Sequence, residues 1–164
     1  MSKTLRLILG DQLNINHSWF QNTDDSVTYV LMEIRSETDY TAHHIQKIVG
    51  FFSAMQNFAK ALKEASHNVI YFYLNEATNL HSFDINVAFL IEKEGFTRFE
   101  YQLPDEYRLD ELLQNFCKTL PISSSVVDSE HFMSSRSELG DFFDGKKTFL
   151  MESFIISCEK STMY

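Results

Sequence analysis

Short apolar runs that end abruptly in charge alternate along this chain with longer stretches whose apolar residues recur every three or four positions. The first run, residues 5–13 (LRLILGDQL), reads as a buried parallel strand that delivers a polar Gly10-Asp11-Gln12 turn to the edge of a sheet. Residues 14–26 carry the Asn, Asp and Ser punctuation of a loop, with Trp19 and Phe20 as aromatic anchors that pin it to the body. A second β-rich run covers 27–34 (VTYVLMEI), and Arg35, Ser36 and Glu37 come directly after it. From 41 to 65, Ile45, Ile48, Val49, Phe52, Met55, Phe58, Ala59 and Leu62 fall at helical spacing, which predicts an amphipathic helix packed on the sheet. Residues 68–74 (NVIYFYL) predict a third strand and 75–81 a loop. Ser82 then caps a helix with the apolar stripe Phe83, Val87, Leu90 and Ile91, which Gly95 ends.

Beyond Gly95 the alternation continues. Residues 98–102 predict a fourth strand, and Pro104, Asp105 and Glu106 suit a helix start whose buried face is Leu109, Leu112, Leu113 and Phe116. Residues 123–127 predict a fifth strand. Ser135 and Glu138 have capping-box spacing ahead of Leu139, Phe142 and Phe143, with Gly145 and two lysines at that helix's carboxyl end; residues 148–164 are mixed and partly helical. Strands alternating with helices predict an α/β fold: a Rossmann-like three-layer sandwich around a five-stranded parallel sheet, in the order 3-2-1-4-5 once right-handed crossovers are imposed.

In such a fold ligands bind beyond the carboxyl ends of the strands, where the strand order reverses. That places a crevice beyond strands one and four, lined by loops 10–13, 33–40 and 103–107, with Asp11, Glu37 and Asp105 among its charges. The pattern alone equally allows a plain turn in which Gly10 permits the bend and Asp11 caps the next segment. His43, His44 and Lys47 lie where the dipole of the long helix favours anions, so an acidic neighbour, Glu33, Glu37 or a bound ligand, would explain them; a solvated helix start is the alternative. No GxGxxG or GxxxxGK[ST] motif occurs, and the acidic lining disfavours a phosphate. A neutral heterocycle with ring N–H groups and hydroxyls is the better match to carboxylates and amides.

Composition narrows the picture. A chain of 164 residues with 44% hydrophobic content, 15 Phe, 7 Tyr, 5 Gly and 2 Pro is one aromatic-rich globule with little room for linkers. Its formal charge of -9 disfavours a nucleic-acid surface on the chain itself. The two cysteines, Cys117 and Cys158, lack CxxC spacing, so no zinc or iron-sulfur site is expected from them. The absence of a signal peptide pattern or an apolar span predicts a cytoplasmic protein with no membrane partner.

Four blocks together carry a resemblance: LILGDQL, EIRSETDYTAHHIQKI, FFSAMQNFAKAL and FMSSRSEL…FFDGKKTFLMESF. In this order and spacing they resemble the amino-terminal domain of the deoxyribodipyrimidine photolyase-related proteins, the bacterial iron-sulfur photolyases and cryptochromes. The resemblance implies that residues 1–147 form an α/β antenna domain and that 148–164 begin a linker to a helical FAD domain, which would also hold the iron-sulfur cluster and meet damaged DNA. It implies an antenna chromophore, usually 6,7-dimethyl-8-ribityllumazine, and no catalytic or metal-binding residue in this part. Carried over by motif, Asp11 and Gln12 would contact the lumazine, flanked by Gly10 and Leu13. Glu37 would accept from its pyrimidine ring, and Glu33, Ile34, Tyr40, His44 and Lys47 would line or support the pocket. Met32 stands where relatives can carry Cys, and LPDEYRL replaces an EPGEWR-like stretch that includes Asp105. A surface normally covered by the helical domain would promote homodimers of the fragment.

Two other readings compete. One is a stand-alone enzyme using His43 or His44 with Glu37 as general acid and base. The other is a ligand-free docking module whose pocket is filled by side chains.

Overall fold

The computed structural model describes residues 3–132 and 134–162. Two compact units divide the chain, Met1–Ser129 and Glu130–Tyr164. The first unit is built on a five-stranded, all-parallel sheet: β1 (Thr4–Leu7), β2 (Val27–Met32), β3 (Asn68–Phe72), β4 (Arg98–Gln102) and β5 (Ser123–Val127). The strands lie in the order β3-β2-β1-β4-β5. Helices α1 (Arg35–Thr38), α2 (Ile45–Glu64), α3 (Phe83–Glu94) and α4 (Tyr107–Thr119) connect them.

Side-chain alternation assigns the two faces. Leu5, Leu7 and Leu9 join Val30, Met32, Phe99 and Tyr101 against Phe83, Val87, Leu90 and Ile91 of α3 and Leu109 and Leu113 of α4. On the opposite face Ile8, Val27, Tyr29 and Leu31 pack against Met55, Phe58, Ala59 and Leu62 of α2. A central strand buried on both faces needs apolar residues at consecutive positions, which is why VTYVLM reads as a run. Trp19 and Phe20 do anchor the loop after β1. Trp19 is buried, its carbonyl accepts from the Tyr29 hydroxyl at 2.6 Å, and Phe20 lies edge-on to Phe58. Arg6 spans this face, stacked 4.7 Å over the Trp19 ring and donating to Glu100 at 2.8 Å.

Helix ends depart from expectation in four places, the first being α2, which begins at Ile45 rather than at 41, with His44 as its N-cap. Residues 35–38 form the short helix α1, which no periodicity announced. The Ser82 side chain makes no capping bond, and its hydroxyl turns to the Asp84 carboxylate. In the second unit, helix α5 (Glu138–Phe143) starts after Ser137, and the Ser135 hydroxyl meets the Ser137 hydroxyl at 3.4 Å, so no capping box forms. Gly95 ends α3 as expected, in the left-handed region at φ 70°, and its N–H donates to Ile91. The second unit also contains α6 (Met151–Thr162) and a cluster of Phe142, Phe143, Phe149 and Phe154 rings. Among the described residues no helix is long and apolar enough to cross a membrane.

Candidate functional site

At the carboxyl edge of the sheet, where the chain leaves β1, β2 and β4, lies a cavity of about 180 Å³. Leu9, Met32, Ile34, Phe83 and Leu109 form its floor, and Ile48, Phe51, Phe52 and Met55 of α2 form one wall. Its polar groups are few: Asp11, Glu37, Thr38, Tyr40, His43, Lys47 and Glu106. An apolar box with a few convergent polar groups is the usual make-up of a small-molecule site.

Gly10 lies in close approach to α2. A Cβ at this position would stand 2.4 Å from the Phe51 ring and 2.9 Å from the Met55 sulfur, so a side chain here would force the ends of both to shift. Glu37 is placed by α1 and gripped by Arg108, whose Nη2 donates to both carboxylate oxygens at 2.9 and 3.1 Å. The same guanidinium donates from Nε to Glu106 at 2.7 Å and stacks 4.6 Å from the centre of the Tyr40 ring. Hydrogen bonds to Glu106 and then Glu37 push the Arg108 pKa upward, so the guanidinium is a permanent cation. Beyond Tyr40, His43 lies edge-on to the same ring, and Lys47 Nζ meets His43 Nδ1 at 3.3 Å.

Of the residues singled out in the sequence, Gly10, Asp11, Ile34, Glu37, Tyr40 and Lys47 line this cavity. Five others do not. Gln12 is buried and folded back under the turn, where its carbonyl accepts from Leu9 N–H and its amide donates to the carbonyls of Gln102 and Leu103. Leu13 packs into the core on the α2 side. Glu33 is buried and committed to three donors: Gln56 at 2.6 Å, the Tyr71 hydroxyl at 2.7 Å and Leu74 N–H at 2.8 Å. Burial and then the bond to Glu33 hold the Tyr71 phenol well above its ordinary pKa. His44 caps α2, its Nδ1 accepting from Gln46 N–H at 3.2 Å, so His43 rather than His44 faces the cavity. Asp105 is exposed, and its neighbour Glu106 takes the lining position.

Sequence reasoning missed Arg108 and a buried amide pair beneath the floor; of the two histidines it placed at this crevice, His43 lines the cavity. Asn79 donates to the Glu33 carbonyl at 2.6 Å and accepts from Asn86 at 2.9 Å, and the Asn86 amide reaches the Met32 sulfur. Two signals were present: three acidic residues converging on one crevice demand a cation, and Asn86 falls on the apolar stripe of α3.

The acid-base pairing considered for His43 or His44 with Glu37 meets an obstacle in this geometry. Both Glu37 oxygens already accept from Arg108 Nη2, His44 Nδ1 accepts from the Gln46 N–H, and His43 Nδ1 meets Lys47 Nζ. Among the described residues no group of three or more His, Cys, Asp or Glu side chains gathers as a metal site.

A family model described as deoxyribodipyrimidine photo-lyase-related protein matches residues 6–162. A curated protein of Agrobacterium fabrum (strain C58 / ATCC 33970), named a (6-4) photolyase, is 31% identical over 159 residues, a match that covers 96% of this chain and 31% of that protein. The chain thus spans about a third of the length of that relative.

Proposed function

Because the chain belongs to the deoxyribodipyrimidine photolyase-related family, we propose that its first unit is a light-harvesting module that binds a flat chromophore in the cavity at the carboxyl edge of the sheet. The observation that carries this reading is the cavity's composition. Apolar walls from α2 and the strand ends face carboxylates at Glu37 and Glu106, with Asp11 at the rim, a combination suited to a planar heterocycle whose ring N–H groups need acceptors. The ligand is 6,7-dimethyl-8-ribityllumazine.

At about 180 Å³ the cavity is smaller than the roughly 300–1,000 Å³ of pockets that enclose a whole drug-sized ligand. A cavity of this size would hold a two-ring core rather than the ring with its whole polyol chain. Met32, Ile34, Phe51 and Phe52 would desolvate the ring, Glu37 would accept from its pyrimidine N–H, and Lys47 and His43 would offer donors. When bound, the lumazine absorbs blue light and passes the excitation to FAD in a carboxyl-terminal helical domain of the parent protein. That domain would also carry the iron-sulfur cluster and the contact with damaged DNA. This chain's own residues bind, orient and exclude water, and no bond is made or broken in the cavity.

Equilibrium titration of the chain with 6,7-dimethyl-8-ribityllumazine, monitored by fluorescence anisotropy, tests the reading. Saturable binding at one site is expected, with a dissociation constant on the order of micromolar. Absence of saturable binding up to about 1 mM overturns the antenna role and leaves a ligand-free docking module as the better description.

A further inference from the structure

We propose that Arg108 is the positioning and specificity-determining residue of this cavity: it acts through Glu37, Glu106 and Tyr40 to present a fixed pair of hydrogen-bond acceptors, so that the site selects ligands bearing a ring N–H. This inference rests on the antenna reading and deepens it. Arg108 is the second residue of α4, where the helix dipole disfavours a cation, so the helix itself gains nothing from it there. What offsets that cost is outside the helix. One guanidinium holds the Glu37 carboxylate from α1 bidentately, takes the Glu106 carboxylate through Nε at 2.7 Å and Nη2 at 3.3 Å, and stacks on the Tyr40 ring. All three of those residues line the cavity.

The chemistry comes from counting lone pairs. Two carboxylates bonded to the same Nη2 repel one another unless a cation lies between them, and without it they would swing apart. With Arg108 in place each carboxylate spends only some of its roughly four acceptor sites on the guanidinium. The remaining acceptor sites are held in place by that grip. A ring N–H finds a charge-assisted partner at such a wall, whereas an N-methylated ring meets an unsatisfied carboxylate and a clash.

The test compares 6,7-dimethyl-8-ribityllumazine with its N3-methyl derivative on the wild-type chain and on the Arg108→Gln and Arg108→Lys variants, by anisotropy titration. The wild-type chain is expected to prefer the N–H ligand by about tenfold or more. In Arg108→Gln that preference falls to about twofold or less, and Arg108→Lys recovers only part of it, because an ammonium is a point charge without the planar fork that grips both carboxylates. A merely structural role would weaken both ligands equally and leave their ratio unchanged. If the wild type binds both ligands without preference, or either variant that remains folded discriminates as strongly as the wild type, the role of Arg108 is overturned while the antenna reading stands. A wild-type chain that binds neither ligand overturns the antenna reading itself.

Discussion

Replacing Glu33 by alanine is expected to lower the unfolding free energy by about 3–5 kcal/mol, read from urea denaturation of the purified chain. Glu33 is 4% exposed at the end of β2, and its carboxylate accepts from Gln56 of α2, the Tyr71 hydroxyl of β3 and the N–H of Leu74. It therefore ties three consecutive elements together at the edge that carries the cavity. Each bond to a charged acceptor contributes about 1.5–3 kcal/mol, and the contributions are not additive because the donors share one carboxylate. The alanine variant leaves the phenol of Tyr71 and a backbone N–H without their acceptor. Glu33→Gln is expected to cost less, since one oxygen remains to accept. A loss below about 1 kcal/mol for Glu33→Ala would mean that water replaces the carboxylate freely and that this edge is not held as described.

The second large effect is expected at Gly10. Gly10→Val should cost about 1–3 kcal/mol of stability and reduce affinity for the lumazine by roughly a hundredfold. The added carbon atoms occupy space held by the Phe51 ring and the Met55 sulfur. Both side chains line the cavity, so displacing them changes its shape. The double variant Gly10→Val/Phe51→Ala removes the clashing ring and is expected to regain a measurable part of the binding. If Gly10→Val binds the lumazine as the wild type does, the ligand does not occupy the space between the end of β1 and α2.

How much of this was legible in the sequence depends on where the information lies. The sheet order could be read because strand runs and helical stripes alternate, and handedness leaves few ways to connect them. β4 and β5 lie at the positions the pattern indicates. The loops that line the cavity could be read for the same reason: apolar runs end at Leu9, at Ile34 and just before Leu103, and the next residues must stand at the sheet's edge. What the sequence could not supply was side-chain direction within a turn. Gln12 and Asp11 are neighbours, yet one folds back to satisfy three backbone groups and the other stands exposed. His43 and His44 differ in the same way, because the residue just before a helix is recruited to its free N–H groups, while the one before that shares a side with Lys47 four positions on. Glu33 looked like a cavity residue because it ends a strand, and the three donors that claim it come from segments far along the chain. The boundary between the two units, at Ser129, coincides with no Pro- or Gly-rich stretch, although serines are dense on both sides of it.

The central claim is that a flat ring sits in the cavity at the carboxyl edge of the sheet, and the most direct test is to locate it. Two-dimensional amide NMR spectra of the ¹⁵N-labelled chain, recorded with and without saturating 6,7-dimethyl-8-ribityllumazine, report every backbone N–H that senses the ligand. The expected result is shifts concentrated at Gly10, Asp11, Glu37, Tyr40, Lys47 and Phe51, with Asp25, Asn68 and Glu94 at the amino edge of the sheet unchanged. Shifts centred on that amino edge, or confined to the second unit, would contradict the account.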